Sequence, residues 1–259
     1  MLEIDKIYNT DFLEGVKNID DNSIDLIVTD PPYGVEFQNN KFFDDSKEKV
    51  FSLIDKWLFE MYRVLKGECH CYIFVPTLEL DKWIFSIKKY FTFNNLISCR
   101  TYTTNRYLKN NFYFNSQHII YASKGKAKRL NRVNWIKTSE VWLNDSRNPE
   151  PKKYTYHYPS FLPPYIFANI KPNKQIKTLH PNQKSLSLVK NLVLLSSGEG
   201  DLVLDPFMGS GTTAVACIIT GRRFIGFETN KEFYNIAVNR VTKARNMLIE
   251  RYFPKKRGK

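Results

Sequence analysis

Asp30-Pro31-Pro32-Tyr33 concentrates more potential chemistry than any other four residues of the chain. The tetrapeptide follows Ile24–Thr29, a short apolar run with β-branched residues, which predicts a strand. Proline ends that strand because it cannot donate to a ladder. Two consecutive prolines also stiffen the backbone. A carboxylate, a carbonyl and an aromatic ring are thereby held in fixed relation. Such a turn can grip an aromatic amine, its oxygens accepting from the NH2 group while the ring stacks on the heterocycle. A turn that merely begins with Asp is common, but it does not account for an aromatic residue directly after two prolines.

A second candidate lies late in the chain. Asp205-Pro206-Phe207-Met208-Gly209-Ser210-Gly211 joins a predicted strand, 201–204, to a predicted helix, 212–220, and a strand over 223–227 then ends at Glu228. Glycines let the backbone approach a ligand closely and turn a helix N-terminus toward it. An acidic residue closing the next strand can accept from ribose hydroxyls. Glu228 stands 17 residues beyond Gly211, close to the usual spacing of about 20. Thr212, not Lys, follows Gly211, which argues against a P-loop for ATP or GTP. Spacing leaves a dinucleotide site and a S-adenosylmethionine site both open, since Ala214 satisfies the variant fingerprint. Asp205 before the glycines and Glu228 after them favour a cofactor loop over a plain turn.

The elements that must position these groups are legible in outline. Val50, Leu53, Ile54, Trp57, Leu58, Met61, Val64 and Leu65 recur at helical spacing, with Gly67 as the expected end. A strand is expected over 71–75, a helix around 78–90, and strands near 96–103 and 117–122. A helix is expected over about 183–196, and a last one carries Phe233, Ala237, Val241, Ala244 and Leu248 on one face. Cys69-His70-Cys71 opens a run that reads as a buried strand rather than a metal pair, because no second Cys/His pair is placed to complete four ligands. Strands alternating with helices predict an α/β fold with a doubly wound, mostly parallel sheet. Ligands then bind at the carboxyl ends of strands, where both Asp30 and Gly209 fall. Residues 124–178 lack clear periodicity and predict an inserted lobe or binding loops.

Charge is unevenly spread over the 259 residues. The net charge of +13 divides into −6 over residues 1–99, +12 over 100–179 and +7 over 180–259. The middle segment also holds eight of the 15 tyrosines. Basic side chains interleaved with aromatics suit a polyanion that offers flat bases, which points to nucleic acid. The mixed, acidic N-terminus is no signal peptide, and no apolar run approaches the roughly 18–20 residues of a membrane span. A cytoplasmic protein is expected.

Taken in order, the motifs resemble the amino-methylating DNA methyltransferases of the β arrangement, in which the catalytic motif precedes the cofactor motif. They are TDF at 10–12, TDPPYG at 29–34, RVLKG at 63–67, NSQHIIYASKG at 115–125, LHPNQKS at 179–185, DPFMGSGTT at 205–213 and RRFIGFETN at 222–230. The resemblance implies a fold of the S-adenosylmethionine-dependent methyltransferase type, with residues 1–125 and 179–259 as the catalytic and cofactor-binding domain and 126–178 as the target-recognition region. It implies that Asp30 and Pro31 accept from the target amine, with Pro32 stiffening the turn and Tyr33 stacking on the base. Asp205, Phe207, Gly209, Ser210, Gly211 and Thr212 are then the loop around the cofactor, Glu228 the ribose ligand and Asp11 the partner of its adenine amine. His180, Pro181, Asn182, Gln183 and Lys184 are expected to hold the cofactor's carboxylate end. Here the chain departs from the family's HPTQKP, with Asn182 and Ser185 in place of Thr and Pro. Arg129, Arg132, Lys137 and Arg147 are expected to contact double-stranded DNA.

The activity so implied is methyl transfer from S-adenosylmethionine to N6 of adenine. N4 of cytosine is the alternative, since members with that activity more often carry Ser at the position of Asp30. A cofactor-binding DNA reader without activity is a third reading. The resemblance also brings in a homodimer and a cognate restriction endonuclease as partners.

Overall fold

Apolar residues alternate between the two faces of the central strands, and that alternation sets the layers. In the computed structural model, residues 2–34, 46–100, 116–131, 165–166 and 183–252 are described. Their strands are β1 (Lys6–Tyr8), β2 (Ile24–Thr29), β3 (Leu65–Val75), β4 (Thr92–Arg100), β5 (Ser116–Ser123), β6 (Tyr165–Ile166), β7 (Leu202–Asp205) and β8 (Arg223–Phe227). They form one sheet in the order β1-β8-β7-β2-β3-β5-β4-β6. Five neighbouring pairs are parallel, and only β3–β5 and β5–β4 are antiparallel. The α/β, doubly wound, mostly parallel expectation is met.

Along β3, Cys69, Cys71, Ile73 and Val75 face one core, while Tyr72 and Phe74 face the other. The first core is covered by α1 (Phe12–Gly15), α2 (Lys47–Val64) and α3 (Leu80–Lys88). Helices α4 (Leu186–Ser196), α5 (Thr212–Thr220) and α6 (Lys231–Tyr252) cover the second. The run from Cys69 to Val75 is buried throughout, as expected of a strand inside a sheet covered on both faces.

Gly67 does not end α2. The helix stops at Val64, and Leu65 is already extended and paired with Ile24. Gly67 therefore sits inside β3.

Residues 128–131 are tied to the core. His70 Nε2 lies 2.9 Å from the Lys128 carbonyl, and its Nδ1 lies 2.7 Å from Ser196 Oγ. Asn131 donates from its backbone to Leu195 O and from its side chain to Ser197 O. Burial pushes the His70 imidazole down to about 4, so it stays neutral in this anchor at ordinary pH.

Close packing between α1 and β8 makes one test simple. Gly15 has ordinary right-handed helical angles, so propensity alone favours alanine there by up to about 1 kcal/mol. A Cβ on Gly15, however, falls 2.1 Å from Cε1 of the fully buried Phe227. Gly15→Ala is expected to destabilise the protein by about 1–3 kcal/mol, seen as a lower urea midpoint; an unchanged or higher midpoint refutes the steric argument.

Candidate active site

Parallel pairing places the candidate groups on one edge. Leu26 pairs with Val203 and Ile27 with Leu204, so β2 and β7 run side by side in the same direction. From β2 the chain crosses to β3 on one side, and from β7 it crosses to β8 on the other. Their carboxyl ends therefore flank a topological switch point, the usual crevice for ligands in such sheets. Asp30 leaves β2 there, and the Asp205–Gly211 turn leaves β7 there. Glu228 follows β8, and Asp11 follows β1, continuing along the same edge.

Asp30 is a partly buried carboxylate with both oxygens engaged. Tyr33 Oη donates to its Oδ1, and Lys184 Nζ lies 2.9 Å from its Oδ2. Lys184 also donates to Tyr33 Oη at 3.1 Å, and Gln117 Nε2 donates to the same oxygen at 3.2 Å. Gln117 reaches the site because β5 is antiparallel to β3, so the start of β5 lies beside the end of β3. The Lys184 ammonium stands over the Tyr33 ring at 5.5 Å and the Phe74 ring at 5.1 Å.

The glycine turn is fixed from several sides. Gly209 N–H donates to Glu228 Oε2 at 2.8 Å, and Asn230 N–H donates to Glu228 Oε1 at 2.8 Å. Burial pushes the Glu228 carboxyl up, while these backbone donors pull it down. Gly211 needs to be glycine twice over: its φ is +81°, and a Cβ would lie 2.9 Å from Ala237 Cβ on α6. Arg240, also on α6, donates to the Ser210 carbonyl at 2.5 Å and lies 3.2 Å from Thr212 Oγ1. Phe207 packs edge-on against Trp57 at 4.9 Å, joining the turn to α2. Asp11 Oδ1 accepts from Leu13 N–H at 2.8 Å and so caps α1.

These groups fit a nucleoside cofactor. Each Glu228 oxygen keeps a further lone pair after its backbone bond, and a carboxylate so oriented suits a pair of ribose hydroxyls. The turn presents backbone and hydroxyl groups rather than the lysine of a triphosphate site.

Of the expected site residues, Asp30, Pro31, Pro32 and Tyr33 share an edge with Asp11, Lys184, Asp205, Phe207, Gly209, Ser210, Gly211, Thr212 and Glu228. Gln183 directly precedes Lys184 in the segment leading into α4. Lys184 is placed on Asp30 itself. His180, Pro181, Asn182, Arg132, Lys137 and Arg147 lie outside the described residues. Arg129 is exposed and is not brought to this edge. It stands between the anchors at Lys128 and Asn131, beside the start of β3 and the end of α4, at the opposite edge of the sheet. Antiparallel β5 carries the chain away from Asp30, which spacing in the sequence could not reveal. Gln117, Phe74 and Arg240 are site residues that sequence reasoning missed. Gln117 had a signal, its place in the NSQHII motif.

Comparison with known proteins agrees with this geometry. Residues 24–239 match the model of the N6/N4 DNA methylase family. The chain is 31% identical over 238 residues to the type II methyltransferase M.HpaI of Haemophilus parainfluenzae, covering 88% of this chain and 71% of that one. It is 30% identical over 261 residues to the DNA adenine methyltransferase YhdJ of Escherichia coli K12, covering 92% and 83%. The crystal structure of an M1.HpyAVI–SAM complex superposes with a TM-score of 0.67 at 26% identity, covering 91% of this chain and 98% of that one.

Asp205 provides a pH test of the buried edge. Burial, with a smaller contribution from the charge of Asp30, pushes its carboxyl up to about 7, against the pull of the Thr213 hydroxyl and the Phe207 N–H. Between about pH 4 and 7 the folded protein thus keeps a proton that the unfolded chain has released. Stability from this group is full below about 4 and is lost as pH rises through 7. Asp205→Asn removes that loss. Urea unfolding should show the variant gaining roughly 1–3 kcal/mol on the wild type between pH 4.5 and 8; a pH-independent difference contradicts the assignment.

Proposed function

The chain belongs to the N6/N4 DNA methylase family and is a S-adenosylmethionine-dependent DNA methyltransferase; from that premise we propose that its acceptor is N6 of adenine. The observation that carries the reading is Asp30, a carboxylate fixed at the carboxyl end of β2 beside the glycine turn of β7. A carboxylate accepts from an amine and also balances charge on it; Ser, the residue more frequent in N4-cytosine members, can accept but carries no charge. The relative named as a DNA adenine methyltransferase supports the same choice.

Bound S-adenosylmethionine supplies an electrophilic methyl group on a sulfonium. The Asp30 carboxylate and the Pro31 carbonyl accept hydrogen bonds from the two N–H groups of the target amine. That pairing favours a pyramidal nitrogen, frees its lone pair from the ring and stabilises the positive charge that develops on it. The N–C bond forms as the methyl leaves sulfur, and the surplus proton on nitrogen passes to Asp30 or water. Tyr33 stacks on the base. Glu228 holds the ribose hydroxyls, and Arg240 keeps the Ser210–Thr212 backbone in place beneath. A cysteine nucleophile has no part in this reaction, and burial pushes the Cys71, Cys99 and Cys217 thiols well above their ordinary range.

An amine inside a duplex cannot reach Asp30, so the base must leave the stack at a cost of a few kcal/mol. Lysines and arginines of residues 100–179 take the phosphates, with residues 126–178 as the recognition region and 1–125 with 179–259 as the catalytic domain. A companion endonuclease and a homodimer belong to the same reading, the first supported by the type II names of relatives and the second by the family resemblance alone.

Incubating duplex DNA with methyl-labelled S-adenosylmethionine, followed by nucleoside analysis, should yield N6-methyladenine. N4-methylcytosine would reassign the acceptor, and no labelled base would leave a reader. Asp30→Ala should lose transfer by about 10²-fold or more, with cofactor binding retained by calorimetry; full activity removes Asp30 from the reaction.

A further inference from the structure

Asp30 must present its carboxylate to the target amine, yet an ammonium already occupies the space beside it, between the carboxylate and two aromatic rings. Lys184 Nζ is 2.9 Å from Oδ2, with only 13% of its side chain exposed. Tyr33 and Phe74 present their rings to the ammonium at 5.5 and 5.1 Å. Phe74 is buried at the end of β3, next to β2. The Cys99 thiol nearby is pushed up to about 12 by burial, so it stays neutral and Asp30 supplies the counter-charge. An ammonium between a carboxylate and aromatic rings reproduces the charge and hydrogen bonding of a target amine as it becomes positive. Lys184 and that amine thus answer the same recognition chemistry.

We propose that Lys184 is a displaceable counter-ion of the acceptor pocket, holding Asp30 Oδ2 until the extruded base takes that oxygen. The inference rests on the assignment of Asp30 as acceptor of the target amine. Lys184 is then a positioning residue rather than a catalytic one. It keeps the carboxylate aimed and paired, and it sets a threshold that the arriving base must overcome. Lys184 lies two residues before Leu186, where α4 begins, so the displacement is assigned to its side chain and not to the helix. A base whose amine is absent gives Asp30 nothing in exchange for the ammonium, so the competition also favours amine-bearing bases.

The test uses the full chain and a duplex in which 2-aminopurine stands immediately beside the adenine first mapped as methylated, so that the target keeps its exocyclic amine and its extrusion unstacks the probe. If mapping returns N4-methylcytosine instead, the probe is placed beside that cytosine, and the comparison is unchanged. Lys184→Met keeps the length of the side chain and removes the charge. It should raise the fluorescence of the probe, unstacked by extrusion of its neighbour, about threefold or more at saturating protein, with S-adenosylhomocysteine affinity within twofold of wild type. Lys184→Arg should return the signal toward wild type, since a cation again opposes the base. Lys184→Gln serves as a second neutral variant should the methionine variant unfold. An unchanged or weaker signal in the neutral variants overturns the proposal. A tenfold or greater loss of S-adenosylhomocysteine affinity overturns it too, and gives Lys184 to the cofactor. DNA without any mapped methylated base removes the acceptor assignment and this inference with it.

Discussion

The adjacency of β2 and β7 is the constraint on which the site depends. Neighbouring strands lie about 4.8 Å apart, and both of these end on the same edge with their chains departing in opposite directions. The acidic turn after β2 and the glycine turn after β7 have no course that keeps them apart. A buried aromatic contact reinforces the pairing. Phe207 of the glycine turn meets Trp57 of α2, the helix that follows the acidic turn in sequence. Two loops separated by about 170 residues of chain are thus braced by the same core that covers one face of the sheet.

Legibility in the sequence followed the range of the interactions. Strand β2, helix α5 and strand β8 were readable because each is an apolar run bounded by proline or glycine, so local chemistry defines it. Strand β1 was not: three residues, Lys6-Ile7-Tyr8, become a strand only through pairing with β8. Gly67 looked like a helix end for a local reason, and the pairing of Leu65 with Ile24 overrode it. Asp30, the glycines and Glu228 could be picked out because their motifs are contiguous. Arg240 could not, since one arginine on an amphipathic helix looks like any solvated charge until its bonds to Ser210 and Thr212 are seen. Lys184 was legible as a site residue, but its partner was not, because the fold and not the spacing brings α4 over the end of β2.

The segregation of charge follows from the chemistry of the edge. Asp11, Asp30 and Glu228 follow three of four consecutive strands there, and the fourth is closed by Asp205, whose carboxyl burial pushes up to about 7. Such an edge attracts cations and amines and repels phosphates. A duplex cannot be held by the surface that modifies it, since its backbone carries one negative charge per about 1.7 Å of axis. Grip must come from another part of the chain, and the segment 100–179, with a net charge of +12, is where the sequence concentrates it. Division of labour then becomes a sorting device. The backbone stays with the basic segment, and of the groups a duplex offers only one that is uncharged and rich in donors gains by approaching the carboxylates. An exocyclic amine on an extruded base meets that requirement. Lys184 tempers the same field from inside, pairing the one carboxylate that must later accept the amine.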